Sequence, residues 1–305
     1  MKIKNHLVVS IVFLLALVAC NKDDEDGGIP EADRTEQQAV DKDTLLHYLS
    51  THYYNFTKMQ NPENFHIDSL TIYELPDDGV LPNPEDNHLL INDVTTITKM
   101  VDETLYDYYI LRLNQGGGEL PDFTDNVRVN YEGSLENGNV FDSTANPIVF
   151  DLLGVVPGWR FVLPTFNTAV GDPIENEDGT ISYNDYGFGM MFIPSGLAYF
   201  SSPPPGLPIY SNLIFKFELY RADDNDHDSD GILSQFEDLN GNGNVFDDDT
   251  DEDGQANYRD VDDDGDGILT IFEDLNGDGD PSNDLNAAGV PLYLDKNSRQ
   301  STQDN

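Results

Sequence analysis

The sequence predicts an α+β chain, with antiparallel strands in its middle, a helical extension before them and a loop-rich acidic segment after them. Three observations carry that reading. From Val127 to Thr144 the chain runs strand, turn, strand: Val127 and Val129 alternate with Arg128 and Asn130, and Glu136-Asn137-Gly138-Asn139 joins the strands. From Asp43, apolar residues at 45, 46, 49 and 53 fall at helical spacing behind an acidic start. From Asp223 to Asp284 there are 23 carboxylates and one cation, Arg259, in a chain of 305 residues with net charge −43. So acidic a balance, 58 Asp and Glu against 15 Lys and Arg, excludes ordinary nucleic-acid binding, which needs a basic surface to displace counterions.

Taken in order, the chain opens on Lys2 and Lys4 and an apolar run, Leu7 to Val18, that is short for a membrane span. The run ends Leu17-Val18-Ala19-Cys20, and Cys20 is the chain's single cysteine, so no intramolecular disulfide forms. This ending resembles a bacterial lipoprotein box, which implies a signal peptide over 1–19 and lipid on Cys20. Each buried acyl CH₂ contributes roughly 0.8 kcal/mol, so several chains make a firm anchor. Lys22 and the acids at 23–26 resemble a lipoprotein surface-export signal and equally read as a charged tether. Residues 20–40, with Gly27-Gly28 and Pro30, are read as that flexible tether, and 41–100 as the N-terminal extension. His47 and His52 lack metal-ligand spacing, and 56–92, with four prolines, receive no role. Thr95 to Asp102, Leu105 to Leu113 and 145–152 alternate as strands. Residues 174–190 carry an Asp178-Gly179 turn and are read as an inserted hairpin or loop.

The run VRVNYEGSLENGNVFDS (127–143) resembles the signature of the FKBP-type peptidyl-prolyl isomerases, V-x-V-x-Y-x-G-x-L-x-[DN]-G-x-x-F-D-S. Four further stretches resemble that family in its own order: LYDYYILRLNQGGGELPDFTDN (105–126), LGVVPGWRFVLPTF (153–166), MFIPSGLAY (191–199) and NLIFKFEL (212–219). The resemblance implies an antiparallel half-barrel around one helix over 101–222. Trp159 begins that helix, and Pro164 is compatible only with its first turn, which leaves its length open. Phe200 stands where the family has glycine, SSPPPGLP (201–208) stands in its flap, and Ile148 falls where it has a second aromatic wall. Phe150 and Phe217 are read as core.

The same resemblance places Tyr131, Phe141, Val155, Val156, Trp159, Tyr199, Leu207 and Phe215 around an apolar cavity, with Asp142 at its rim. Trp159 would be the floor under a proline ring, and the Val156 N–H and Tyr199 hydroxyl would bind substrate carbonyls. The implied activity is X-Pro isomerisation, with no cofactor needed for catalysis and proline-containing polypeptides as partners. A second reading is a binding module that holds such chains without turning them over.

The acidic segment, 223–285, has internal order. Asp226-x-Asp228-x-Asp230-Gly231 followed by Glu237, and Asp262-x-Asp264-x-Asp266-Gly267 followed by Glu273, both fit a 12-residue EF-hand loop. DSDGILSQFEDLNGNGN (228–244) returns as DGDGILTIFEDLNGDGD (264–280), an internal duplication. Asp249, Asp251 and Asp253 form a shorter match, and Asp238 and Asp274 begin two more. No long helix precedes either full loop. The segment therefore resembles thrombospondin type 3 or dockerin repeats, which implies several structural Ca²⁺ ions in place of an apolar core. A dockerin-type role would need a cohesin-type partner. Residues 286–305 are read as a frayed tail. The whole is expected to be an outer-membrane lipoprotein, surface-exposed or periplasmic.

Overall fold

The computed structural model describes residues 31–302; the leader, Cys20 and residues 21–30 lie outside the described residues. The first element, α1 (Arg34–Thr51), begins nine residues before the expected start. Asp33 caps it, its side chain accepting the N–H groups of Thr35 and Glu36 at 2.9 Å each. The tether read over 20–40 therefore gives way to helix at Arg34. The apolar spacing was silent there because the first buried positions are polar, Gln38 and Asp41. A small sheet follows, in which β1 (His52–Tyr54) lies between β2 (Ile72–Glu74) and β3 (His88–Leu89). The one-turn α2 (Leu90–Asp93) leads out of it. The stretch 56–92 thus has a structural place.

The main sheet is antiparallel throughout. Its strands are β4 (Val94–Val101), β5 (Thr104–Asn114), β6 (Asn126–Ser134), β7 (Val140–Ser143), β8 (Ile148–Asp151), β11 (Gly187–Ile193) and β12 (Leu213–Asp223). The order is β4-β5-β11-β12-β6, with β7 and β8 each pairing β6 in turn. The insertion is a hairpin, β9 (Val170–Glu175) with β10 (Ile181–Asn184). Helix α3 (Pro157–Val162) ends before Pro164, which falls in the 3₁₀ turn Leu163–Thr165. That settles the helix length.

Strand alternation divides the core in two. Met191, Ile193, Phe215 and Phe217 face α3, where Trp159, Val162 and Leu163 pack. Phe188, Met190, Phe192 and Ile214 face the other way, onto Leu45, Tyr48 and Leu49 of α1. β11 is buried at every residue, which is why it reads as an unbroken apolar run. The extension is therefore a layer of the fold. A buried carboxylate fastens it: Glu218 of β12, fully buried, accepts the Ile67 N–H at 2.7 Å and bonds to Asn130 and Tyr220.

After β12 the chain forms successive acidic loops. The N–H of Gly231, Gly243, Gly254, Gly267 and Gly279 each donates to the first aspartate of its loop. All five glycines have φ between +79° and +102°, which a Cβ disfavours. The five loops are one geometry repeated. The tail expected to fray is docked, because Leu292 and Tyr293 are buried apolar surface. The Thr302 N–H donates to the Phe272 carbonyl at 2.7 Å, and Arg299 pairs with Asp266.

Candidate active site and metal centres

A cavity of about 370 Å³ opens beside α3. Tyr131, Phe141, Asp142, Val155, Val156, Trp159, Tyr199 and Phe215 line it together, from β6, β7, the turn before α3, α3 itself, the 191–199 segment and β12. Leu207, expected beside them, is absent from the lining and packs against the core cluster. Phe150, read as core, packs against the core cluster and also lines the cavity, with its ring 5.4 Å from Trp159 and 5.2 Å from Tyr131. It is the second aromatic wall that the resemblance had placed at Ile148, whose side chain is exposed. Ile148 and Phe150 share a face of β8, and Phe150 is its aromatic residue; that was the available signal. Phe217 is core, stacked edge-on to Phe166.

Trp159 sits at the bottom, 2% exposed, 5.0 Å from the Phe215 ring and 5.6 Å edge-on to Tyr131. Pro157 at the first helical position and Val156 as an extended N-cap start α3 so that Trp159 enters the aromatic cluster. Gly133 is required by the walls: a Cβ there would lie 2.7 Å from both Phe141 and Phe215. At the rim, the Tyr131 hydroxyl donates to Asp142 at 2.5 Å. Burial, reinforced by Asp142, pushes the Tyr131 hydroxyl up; burial and then Asp142 do the same to Tyr199. Both stay neutral donors. Neither the Val156 N–H nor the Tyr199 hydroxyl has a partner among the described residues. Phe200 takes the left-handed conformation (φ +49°) that explains a glycine there, and its buried ring packs on Tyr210.

In the acidic segment the aspartates group as expected: Asp226, Asp228 and Asp230; Asp249, Asp251 and Asp253; Asp262, Asp264 and Asp266. Glu237 joins Asp230 in a further group whose third member is Asp263, from the second repeat. Sequence spacing missed Asp263 because it occupies the second loop position, which carries no ligand in the EF-hand pattern. Glu273 is not grouped with its loop's aspartates, although it too is buried. The oxygens have unmet valence: both Glu237 oxygens and one each of Asp228, Asp230, Asp263, Asp264 and Glu273 are buried without a hydrogen-bond partner. Burial first, then neighbouring carboxylates, push Glu237 up to about 10 and Asp263 to about 9. An all-oxygen donor set with unmet buried valence, whose raised carboxyls a cation would deprotonate on binding, fits a hard divalent ion.

The cavity thus has an aromatic floor and two unengaged donors at its edge, on an antiparallel sheet over one short helix. Residues 117–173 match the family described as FKBP-type peptidyl-prolyl cis-trans isomerase, and residues 227–298 match BamM C-terminal. The chain is similar to the FKBP-type peptidyl-prolyl cis-trans isomerase FkpA of Escherichia coli K12, 36% identical over 107 residues (34% of this chain, 33% of FkpA). It is similar also to the FKBP-type 22 kDa isomerase of that organism, 36% over 111 residues (35% and 46%), and to Mip of Coxiella burnetii, 36% over 112 residues (35% and 41%). The crystal structure of E. coli FkpA overlaps at TM-score 0.32 with 30% identity, covering 41% of this chain and 51% of that one. The chain thus spans a third to just under a half of these curated relatives. It contains an FKBP-type peptidyl-prolyl cis-trans isomerase domain, followed by a BamM C-terminal-like domain.

Proposed function

We propose that the protein is a peptidyl-prolyl cis-trans isomerase of the bacterial cell envelope, acting on exported polypeptides. The observation that carries this is the pocket: Trp159 beneath three aromatic walls, with the Val156 N–H and Tyr199 hydroxyl unengaged at its edge. Rotation about X-Pro faces a barrier of about 18–20 kcal/mol because the amide loses resonance when twisted. The twisted amide has a less polarised carbonyl, so an apolar, water-poor wall favours it over the planar form. Preferential binding of the twisted state is then the catalysis, with no nucleophile or metal. Trp159 would seat the proline ring, and the two donors would hold the flanking carbonyls. Asp142 would act through Tyr131.

The test is the cis-trans exchange rate of a proline peptide with the full chain, read by exchange NMR. Acceleration that disappears in Trp159→Leu supports the reading. Peptide binding without acceleration would return the protein to the binding-module alternative.

The location rests on the lipoprotein-like ending at Cys20; a Cys20→Ala chain recovered in the soluble fraction would support the anchor, and one still in membranes would refute it. The acidic loops would hold Ca²⁺ through their aspartates, Glu237, Glu273 and Asp263. When bound, the ions supply the positive charge that the buried oxygens lack, and so hold the segment together.

A further inference from the structure

Tyr199 also lines a second cavity, of about 540 Å³. Helix α3 divides its side chains between the two: Trp159 enters the aromatic pocket, while Arg160 and Phe161 enter the second cavity. Phe246 of the acidic segment closes another wall. A chain lying across Trp159 and past Tyr199 would therefore continue into this space.

Its electrostatics run against the rest of the molecule. Arg34, Lys99 and Arg160 line it, and Asp102 is the one carboxylate that does. Each cation lies against an aromatic face: Arg34 is 4.4 Å from the Phe200 centroid, Lys99 5.2 Å from Phe161, and Arg160 5.0 Å from Phe246. Among the described residues, neither Lys99 nor Arg160 has a carboxylate within ion-pair distance, although acids outnumber bases almost four to one (58 to 15). Lys42, Lys216, Arg221 and Arg299 each have such a partner. The Arg160 Nε is buried with no hydrogen-bond partner. Lys99 and Arg160, partly desolvated on aromatic walls and without an ion-pair partner among the described residues, have spare capacity for an anion of defined geometry.

We propose that this cavity is a carboxylate-binding subsite for the client polypeptide, so that Lys99 and Arg160 select acidic residues flanking the proline seated on Trp159. The proposal rests on the prolyl-pocket reading.

The experiment uses the full chain and fluorescein-labelled proline peptides that differ only in carrying Glu or Lys beside the proline, all C-terminally amidated. Affinity by anisotropy and isomerisation by exchange NMR are measured in parallel. The Glu peptide is expected to bind about fivefold more tightly than the Lys peptide at low salt, and the preference should shrink as salt is added. Lys99→Glu, a partly exposed position, is expected to invert the preference. A Glu peptide with a free terminus separates the sources: a further gain would extend the subsite to chain ends, and none would restrict it to side chains, both within the proposal. Equal affinity of Glu and Lys peptides, or a preference that survives Lys99→Glu, overturns it. Failure of the isomerase reading shows separately, as absent acceleration with every peptide, while the binding comparison still decides the subsite.

Discussion

Trp159 owes its position to its neighbours, not to its six-residue helix. Tyr131, Phe150 and Phe215 surround it, and Gly133 lets the rings of Phe141 and Phe215 meet over the strand. Trp159→Leu is expected to lower kcat/KM on a proline peptide by about tenfold or more, roughly 1.4 kcal/mol of lost transition-state contact. Tyr199→Phe would remove the proposed hydrogen bond to substrate, worth about 0.5–1.5 kcal/mol, so a two- to tenfold loss is expected. An unchanged rate in both variants would remove the pocket from the reaction. Phe200 makes a different case. Its left-handed backbone costs about 1–2 kcal/mol that glycine would recover, yet its ring is 5% exposed and packs against Tyr210 and Arg34. Deleting a buried phenyl ring costs about 3–5 kcal/mol, so Phe200→Gly should lower stability by about 2 kcal/mol in urea unfolding. A stabilised variant would show that strain outweighs packing. The signature residues Tyr131, Phe141 and Asp142 were legible because each lies in a motif with fixed spacing. Phe150 was not, since alternation says which face a residue takes and not whether that face is core or cavity.

Among the elements, α1 has the least expected role. Its Asp41, 2% exposed, accepts both the N–H and the hydroxyl of Ser195, at 2.8 and 2.6 Å. Ser195 opens the short turn that leads to Tyr199, so the helix holds the segment that carries the proposed carbonyl donor. Asp41→Ala strips the buried Ser195 hydroxyl of its acceptor and leaves the Ser195 N–H only Asn212 Oδ1 at 3.2 Å, and is expected to cost about 1–3 kcal/mol. It should also raise KM more than it lowers kcat, because Tyr199 loses its support. Burial raises the Asp41 carboxyl from its ordinary value, with Ser195 and Gln37 opposing. The native state then holds a proton that the unfolded chain has released. The Asp41 contribution to stability therefore falls as pH rises from about 4 through the raised native value, and is flat above it. Asp41→Asn keeps an acceptor for Ser195 and cannot titrate. The urea midpoint of the wild type minus that of Asp41→Asn should decline over that window, and a flat difference would mean that Asp41 is charged in both states. The start of α1 was written in the cap Asp33-Arg34-Thr35-Glu36, which apolar periodicity cannot see. The strands were legible because β6, β5 and β4 alternate. The docked tail was missed because its two buried residues sit in an apolar run, 290–294, too short to show a period.

At the scale of the molecule, the acidic segment is built on the isomerase domain and not merely attached to it. His227 lies 3.4 Å from Asp151 at the end of β8, and Phe246 packs on Arg160 of α3. The segment has few apolar anchors of its own, and many of its buried groups are carboxylates, among them Asp230, Glu237, Asp263 and Glu273. Left without cations, such a cluster repels itself. Millimolar Ca²⁺ acting on sites of about 10⁻⁴–10⁻³ M would stabilise the folded segment by about 0.4–1.4 kcal/mol for each site. The full chain should therefore melt at a higher temperature in Ca²⁺ than in chelator. The regular aspartate spacing made these loops legible, but the link between repeats was not, because Asp263 reaches Asp230 and Glu237 only through the fold. That link gives the sharper prediction. If Asp263 is a ligand of the first loop, Asp263→Asn should weaken one Ca²⁺ site in calorimetric titration while leaving the others, and the same site should weaken in Glu237→Gln. Combining the two substitutions should cost less than the sum of the single losses, since both act on one ion. Strict additivity, or an unchanged titration in Asp263→Asn, would place Asp263 outside the ion's shell and leave the two repeats to bind independently.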